Sequence, residues 1–209
     1  MKISRKPLIQ INKIAFSFSK IPLFENLSFD IYSSEIFLIT GPSGVGKTTL
    51  LSLIGGITWT QSGSIEYDPL MLPREKWFGY ALIDGPFFET LSVRENIFLL
   101  QSFSNVLIDI SRYRELLEYF EIDSLEHSSL ISLSAGQRER VNILRALIHC
   151  PLVVILDEPW ANLDSYLFDK LISFIQKERK IRETSFVIAS HDNRFTQIAS
   201  QHIELTSYS

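Results

Sequence analysis

The chain contains one cysteine, Cys150, among 209 residues. A single thiol cannot form an internal disulfide, so a reducing cytosol is the expected compartment. Excess positive charge is also missing: 20 Lys and Arg stand against 24 Asp and Glu, a net charge of −4. A DNA or RNA binder would carry a basic excess or stripe, so no nucleic-acid partner is expected. No long apolar run is present. The most apolar stretch, LVVIL at 152–156, has strand length, whereas a membrane span needs ~18 or more apolar residues. MKISRKPL at the N-terminus has positive charge with no apolar core behind it, so no signal peptide and no transmembrane segment are expected. If the chain serves a membrane process, another polypeptide must do the spanning. No His/Cys cluster has metal-ligand spacing, which leaves zinc unsupported, and His127, His149 and His202 have no placement that suggests chemistry.

What remains is an ordinary globular composition, 45% hydrophobic and 21% charged, over a length that suits one domain spanning 1–209. EIFLIT (35–40), LVVIL (152–156) and SFVIAS (185–190) are continuously apolar, as parallel strands covered on both faces should be. Each leads directly into polar, chemically capable residues: a glycine loop, then Asp157–Glu158, then His191. Ligand sites of open α/β sheets lie beyond the carboxyl ends of the strands, so all three should deliver their groups to one edge. The N-terminal third alternates instead. Ile9/Ile11, Ile14/Phe16/Phe18 and Leu27/Phe29/Ile31 suggest half-buried antiparallel strands. Residues 90–132 carry helical spacing, with Ser111 a plausible N-cap, and 138–149 form a further helix ending before Pro151.

GPSGVGKT at 41–48 fits G-x-x-x-x-G-K-[ST] between a strand and an apolar helix. Glycines allow backbone amides to cradle phosphate, Lys47 reaches the outer phosphates, and Thr48 offers a hydroxyl to Mg²⁺. Asp157 ends a buried strand, the usual place of the acid that holds Mg²⁺ in phosphate-loop proteins. Glu158 suits a general base for attack on a γ-phosphate. SLSAGQRERV at 132–141 presents a second anion-attracting end: Ser134 and Gln137 have capping-box spacing, with Ala135 and Gly136 leaving the amides uncovered.

Together these motifs resemble the ATP-binding subunit of an ABC transporter. GPSGVGKT is similar to the Walker A motif, LSAGQ (133–137) to the signature, LVVILDE (152–158) to Walker B, ANLD (161–164) to the D-loop, and His191 to the switch histidine. The resemblance runs from about Phe18 to His191. It implies an α/β P-loop fold with a mainly parallel core sheet, an N-terminal antiparallel β subdomain and an inserted helical subdomain at about 88–135. It also implies ATP and Mg²⁺ as ligands, an ATPase activity, a head-to-tail pair of cassettes, separate transmembrane permease subunits, and a peripheral position on the cytoplasmic face of the cell membrane.

The resemblance accounts for the second anion end. Ser134, Gly136 and Gln137 would bind the γ-phosphate of a nucleotide held by Gly41, Pro42, Ser43, Gly44, Val45, Gly46, Lys47, Thr48 and Thr49 of a partner. Asp164 would contact the opposite phosphate loop. Phe18 stands where the family often stacks an aromatic ring on adenine; the alternative is a strand-core phenylalanine. Asp84 occupies the position of the family's Q-loop glutamine, which contributes to the metal site; the alternative is an Asp-Gly-Pro turn. Trp160 departs from the small residue often found after Asp-Glu-Pro. Phe87 and Phe88, adjacent in sequence, should leave at least one ring exposed for a permease.

Kinase and GTPase readings lack a place for LSAGQ and ANLD. Thr48 and Leu133 are 85 positions apart with no heptad run between them, unlike the coiled-coil ABC proteins of DNA repair and chromosomes. A non-hydrolysing regulatory module is the rival from another class, favoured by Asp84 and opposed by Glu158 and His191. The cargo is not legible: the aromatic DEPW region resembles haem-exporter cassettes, and the phosphate-loop helix equally resembles lipoprotein-release and macrolide-type cassettes.

Overall fold

The computed structural model describes residues 6–18, 21–71, 77–83, 85, 87–104, 106–160 and 162–206. The chain runs β1 (Ile9–Phe18), β2 (Ile21–Ile31), β3 (Ile36–Thr40), α1 (Lys47–Ile54), β4 (Ser62–Tyr67), β5 (Phe78–Ala81), α2 (Val93–Ser104), α3 (Ile110–Tyr119), α4 (Ala135–Leu147), β6 (Val153–Asp157), α5 (Ser165–Arg182), β7 (Ser185–Ala189), α6 (Asn193–Ile198) and β8 (Gln201–Glu204). Two sheets result. One is antiparallel in the order β2-β1-β4, and the other is parallel in the order β5-β6-β7-β3-β8.

The apolar runs are continuous because both faces of the parallel sheet are covered. Ile36, Leu38, Val154, Leu156, Phe186 and Ile188 point into one core, shared with residues of α3, α4, α5 and α6. Phe37, Ile39, Val153, Ile155, Val187 and Ala189 point into the other, shared with α1 and the antiparallel sheet. Each Val, Leu, Ile or Phe among them contributes ~1.5–3 kcal/mol on burial. The apolar positions of β1 skip a beat between Ile11 and Ile14. The register shifts there, and Lys13 takes a left-handed φ of 46°, so a bulge restores the inward parity.

Two helix starts differ from the sequence reading. Asp109, not Ser111, caps α3, its carboxylate accepting from the amides of Ser111 and Arg112. The helix therefore starts at Ile110, whose side chain is 44% exposed and adds nothing to the apolar stripe. The helix placed at 138–149 runs Ala135–Leu147 instead, because Ser134 and Gln137 form a complete capping box three residues earlier. Val141, Leu144, Ala146, Leu147 and Ile148 are buried as the periodicity requires. On the helical side, Arg112 of α3 donates to Glu178 of α5 at 2.6 Å, both buried, which ties α3 to the helix following β6. No helix among the described residues is long and apolar enough to cross a membrane.

Glu139 lies one turn into α4, partly buried, and loss of water pushes its carboxyl up to about 7 against an opposing hydrogen bond from Asn142. The folded protein then binds more protons than the unfolded chain between the ordinary carboxylate range and that value. Stability must fall as pH rises through this window, and the loss is complete above it. Glu139→Gln removes the ionising group. The variant is expected to melt higher than wild type at pH 8, with the gap shrinking steadily as pH falls towards 4, as thermal unfolding across that range would report.

Candidate active site

The phosphate loop leaves β3 through Gly41, whose φ of 140° favours glycine. A Cβ there would lie 2.4 Å from the Leu205 carbonyl oxygen, so no larger residue fits. Val45 is buried beneath the loop and anchors it to the core. Gly46, at φ 106°, is the N-cap of α1 and supplies no side-chain acceptor, so the helix presents uncapped amides at its start. Lys47 Nζ donates to the Gly41 carbonyl at 2.9 Å and the Pro42 carbonyl at 3.2 Å, and lies 3.8 Å from Glu158.

Beside this loop lies a cleft of about 320 Å³ lined by Ser43, Gly44, Gly46, Lys47, Thr48, Thr49, Asp157 and Glu158, with Leu23 and Ile83 as its apolar members. Gly41, Pro42 and Val45 are not lining residues; they shape the loop from behind. At the cleft, Thr48 Oγ1 donates to Asp157 Oδ2 at 2.6 Å. Burial raises the Asp157 carboxyl, the Thr48 hydrogen bond lowers it, and the neighbouring Glu158 charge raises it again. A cation placed among these oxygens would relieve both raising causes. Glu158 takes a left-handed φ of 48°, with its amide donating to the Ala189 carbonyl at the end of β7. Its Oε1 lies 2.9 Å from His191 Nδ1, while Oε2 is buried with no hydrogen-bond partner among the described residues. An acceptor oxygen left open in this way has room for one more donor. Asp157, Glu158, His191 and the phosphate loop thus meet at the carboxyl edge of the parallel sheet.

The other candidates lie apart from the cleft lining. Ser134 Oγ accepts from the Gln137 amide at 3.3 Å, and Gln137 Oε1 accepts from the Ser134 amide at 2.8 Å, so within one chain both side chains are committed to capping α4. Gly136 meets the same chain's Asn162 carbonyl, 2.6 Å from where a Cβ would stand. Asp164 caps α5 by accepting from the Leu167 amide at 2.8 Å. Phe18 ends β1 with its backbone paired to Ile21; its side chain, like the whole of Asp84, lies outside the described residues. His202 bonds Thr40 Oγ1 and His149 bonds the Phe78 carbonyl, both away from the cleft lining. Phe88 is 54% exposed, whereas Phe87 packs on the core with the Arg145 guanidinium 4.1 Å from its ring centre.

Leu23 and Ile83 escaped the sequence reading because no motif marks an apolar wall. Leu23 is brought to the loop only by folding, 3.1 Å from where a Cβ at Gly46 would stand.

Comparison with known proteins agrees with this geometry. The family model for ABC transporter matches residues 24–161. The spermidine/putrescine import ATP-binding protein PotA of Legionella pneumophila (strain Philadelphia 1) is 34% identical over 192 residues, covering 89% of this chain and 53% of that protein. The chain therefore spans about half the length of the PotA relatives it matches. The lipoprotein-releasing system ATP-binding protein LolD of Neorickettsia sennetsu is 30% identical over 200 residues, covering 91% of this chain and 88% of that protein. A solved dimeric ATP-binding cassette in a post-hydrolysis state, bound to ADP and Pi, has a TM-score of 0.84 and 24% identity, covering 95% and 94% of the two chains, and establishes the ABC ATPase cassette fold. From its matched family model, its full-length relatives and its phosphate loop facing Asp157 and Glu158, the chain belongs to the ABC transporter family of ATP-binding subunits.

Proposed function

We propose that this chain is the ATP-hydrolysing subunit of a transporter whose membrane-spanning permease is a separate polypeptide. The observation that carries the reading is the Glu158–His191 contact at 2.9 Å beside Lys47 and the Thr48–Asp157 pair. ATP would lie along the phosphate loop, its phosphates received by the uncapped amides of α1 and by Lys47. Phe18, at the end of β1, is the residue we assign to the adenine.

The hard oxygen donors of Thr48 and Asp157 suit Mg²⁺. When bound, the ion supplies positive charge against the phosphates. Asp84 is assigned beside it on sequence position alone. Glu158 accepts the proton of the attacking water as that oxygen bonds to the γ-phosphorus and the bond to ADP breaks, leaving ADP and phosphate. His191, protonated at Nδ1, donates to Glu158 Oε1 and holds the carboxylate in place. A second copy of the chain, head to tail, completes each site through Ser134, Gly136, Gln137 and Asp164. With Phe88 exposed next to the Q-loop position, the permease contact is assigned to that loop, and the subunit would lie peripherally on the cytoplasmic face of the membrane. Relatives named for polyamine import and for lipoprotein release resemble the chain to a similar degree, in keeping with cargo selection by the membrane subunits.

Purified protein is expected to release phosphate from ATP only with Mg²⁺ present. Tight ATP binding without phosphate release, alone and with its permease, would favour the non-hydrolysing regulatory module instead.

A further inference from the structure

The chain beyond Glu158 and the chain beyond His191 belong to different strands, yet one aromatic group joins them. Trp160, two residues after Glu158, is only 7% exposed. Its ring centre lies 4.3 Å from that of Phe195 in α6 and 5.8 Å from that of Phe168 in α5, and Phe168 and Phe195 are 5.2 Å apart. The group is closed by Arg194, whose guanidinium sits 3.5 Å from the Phe168 ring centre and bonds Asp192. His191 itself is an exposed side chain whose contact is Glu158. Its position therefore depends on where its two neighbours leave the sheet. Ser190 is fixed by donating its amide to the Ile39 carbonyl. Asp192 caps α6, which is only six residues long and carries Phe195 as its buried anchor. Such a short helix has little stability of its own and takes its place from packing.

We infer that Trp160 is a positioning residue for hydrolysis: through Phe195 it fixes α6, and through α6 it fixes His191 against Glu158. The Trp160 carbonyl also accepts from the Leu163 amide at 2.9 Å, ahead of Asp164. This rests on the hydrolytic roles proposed above for Glu158 and His191. Small displacements of a catalytic group are costly, ~10²-fold for about 1 Å.

The test is a double-mutant cycle of Trp160→Ala and His191→Ala, measured as kcat and KM for ATP, with Trp160→Phe as the conservative rescue. Trp160→Ala should lower kcat by about 10-fold or more in the wild-type background, with KM changed by less than about 3-fold, and by less than about 2-fold in the His191→Ala background. Trp160→Phe should restore most of the rate. An equal loss in both backgrounds, or no loss in either, overturns the inference, because a residue that merely supports the fold would act regardless of His191. If Trp160→Ala cannot be recovered folded, Trp160→Leu keeps apolar bulk without the ring and takes its place in the cycle. Amide hydrogen exchange over 190–198, measured without nucleotide, separates this failure from failure of the hydrolytic reading. Exchange there should rise in Trp160→Ala whether or not the protein turns over ATP, and unchanged protection overturns the inference by itself.

Discussion

Glu158→Gln is expected to reduce ATP turnover by ~10²-fold or more, the scale of a lost general base, while ATP affinity stays within a few-fold of wild type. Glutamine keeps the size and one carbonyl acceptor of the carboxylate but cannot take a proton from water. The groups assigned to grip ATP are untouched: the amides at the start of α1, Lys47, and Thr48 with Asp157. The Ser134–Gln137 end of α4 is likewise unaltered. Nucleotide should therefore accumulate between two chains, and ATP with Mg²⁺ should double the mass seen by light scattering. A variant that hydrolyses ATP at the wild-type rate removes Glu158 from the proposed role. One that binds ATP yet stays monomeric at high concentration tells against the head-to-tail pair.

Gly79→Ala should be severe for a different reason. Gly79 lies in β5 where the last turn of α4 crosses it. A Cβ there would stand 1.8 Å from the Ala146 carbonyl oxygen and 3.0 Å from Pro151 Cγ. Backbone oxygen cannot rotate aside as a side chain would, so either α4 lifts off the sheet or β5 leaves its pairing with β6. Either movement strips contacts from a core containing Val141, Leu144, Val154 and Leu156, all at most 1% exposed. The expected cost is ~4 kcal/mol or more, in the range reserved for severe core lesions. That corresponds to a melting-temperature loss of ~8–16 °C for a chain of this size. Gly44→Ala is the natural control. Nothing lies within 4 Å of its added Cβ, and only its φ of 80° resists the change, so it should melt much closer to wild type. Equal melting temperatures for Gly79→Ala and wild type would contradict the close crossing of α4 over β5.

The difference between those glycines parallels what could and could not be read in the sequence. Gly41, Gly44 and Gly46 sit in a local pattern with its own chemistry, so the phosphate loop was legible, as were β3, β6 and β7 from their continuous apolar runs. Gly79 sits in FGYA, a four-residue strand with no periodicity to detect. β4 and β8 were missed likewise: SGSIEY opens with a glycine and two serines, and QHIE alternates over only four residues. These strands are specified by their partners, β1, β6 and β3, rather than by their own composition. That Asp157–Glu158 and His191 lie at one sheet edge followed from their positions at two strand ends; the contact between Glu158 and His191 did not. Leu23 and the Trp160–Phe168–Phe195 group did not, because each is assembled from segments far apart in the chain.

The left-handed backbone at Glu158 has a consequence for how this chain can change over generations. A non-glycine residue in that conformation costs roughly 1–2 kcal/mol. Glu158 adds a second cost in its buried Oε2, which has no partner among the described residues, and a third in its charge next to Asp157. Glycine or asparagine at 158 would relieve most of this, and the protein would melt higher while losing the group proposed above as the proton acceptor. Mutational drift at this site thus runs downhill towards a stable, silent cassette, and only selection for turnover opposes it. In lineages where that selection lapsed, position 158 should be among the first of the strand-edge residues to change, and glycine or asparagine should be its most frequent replacements.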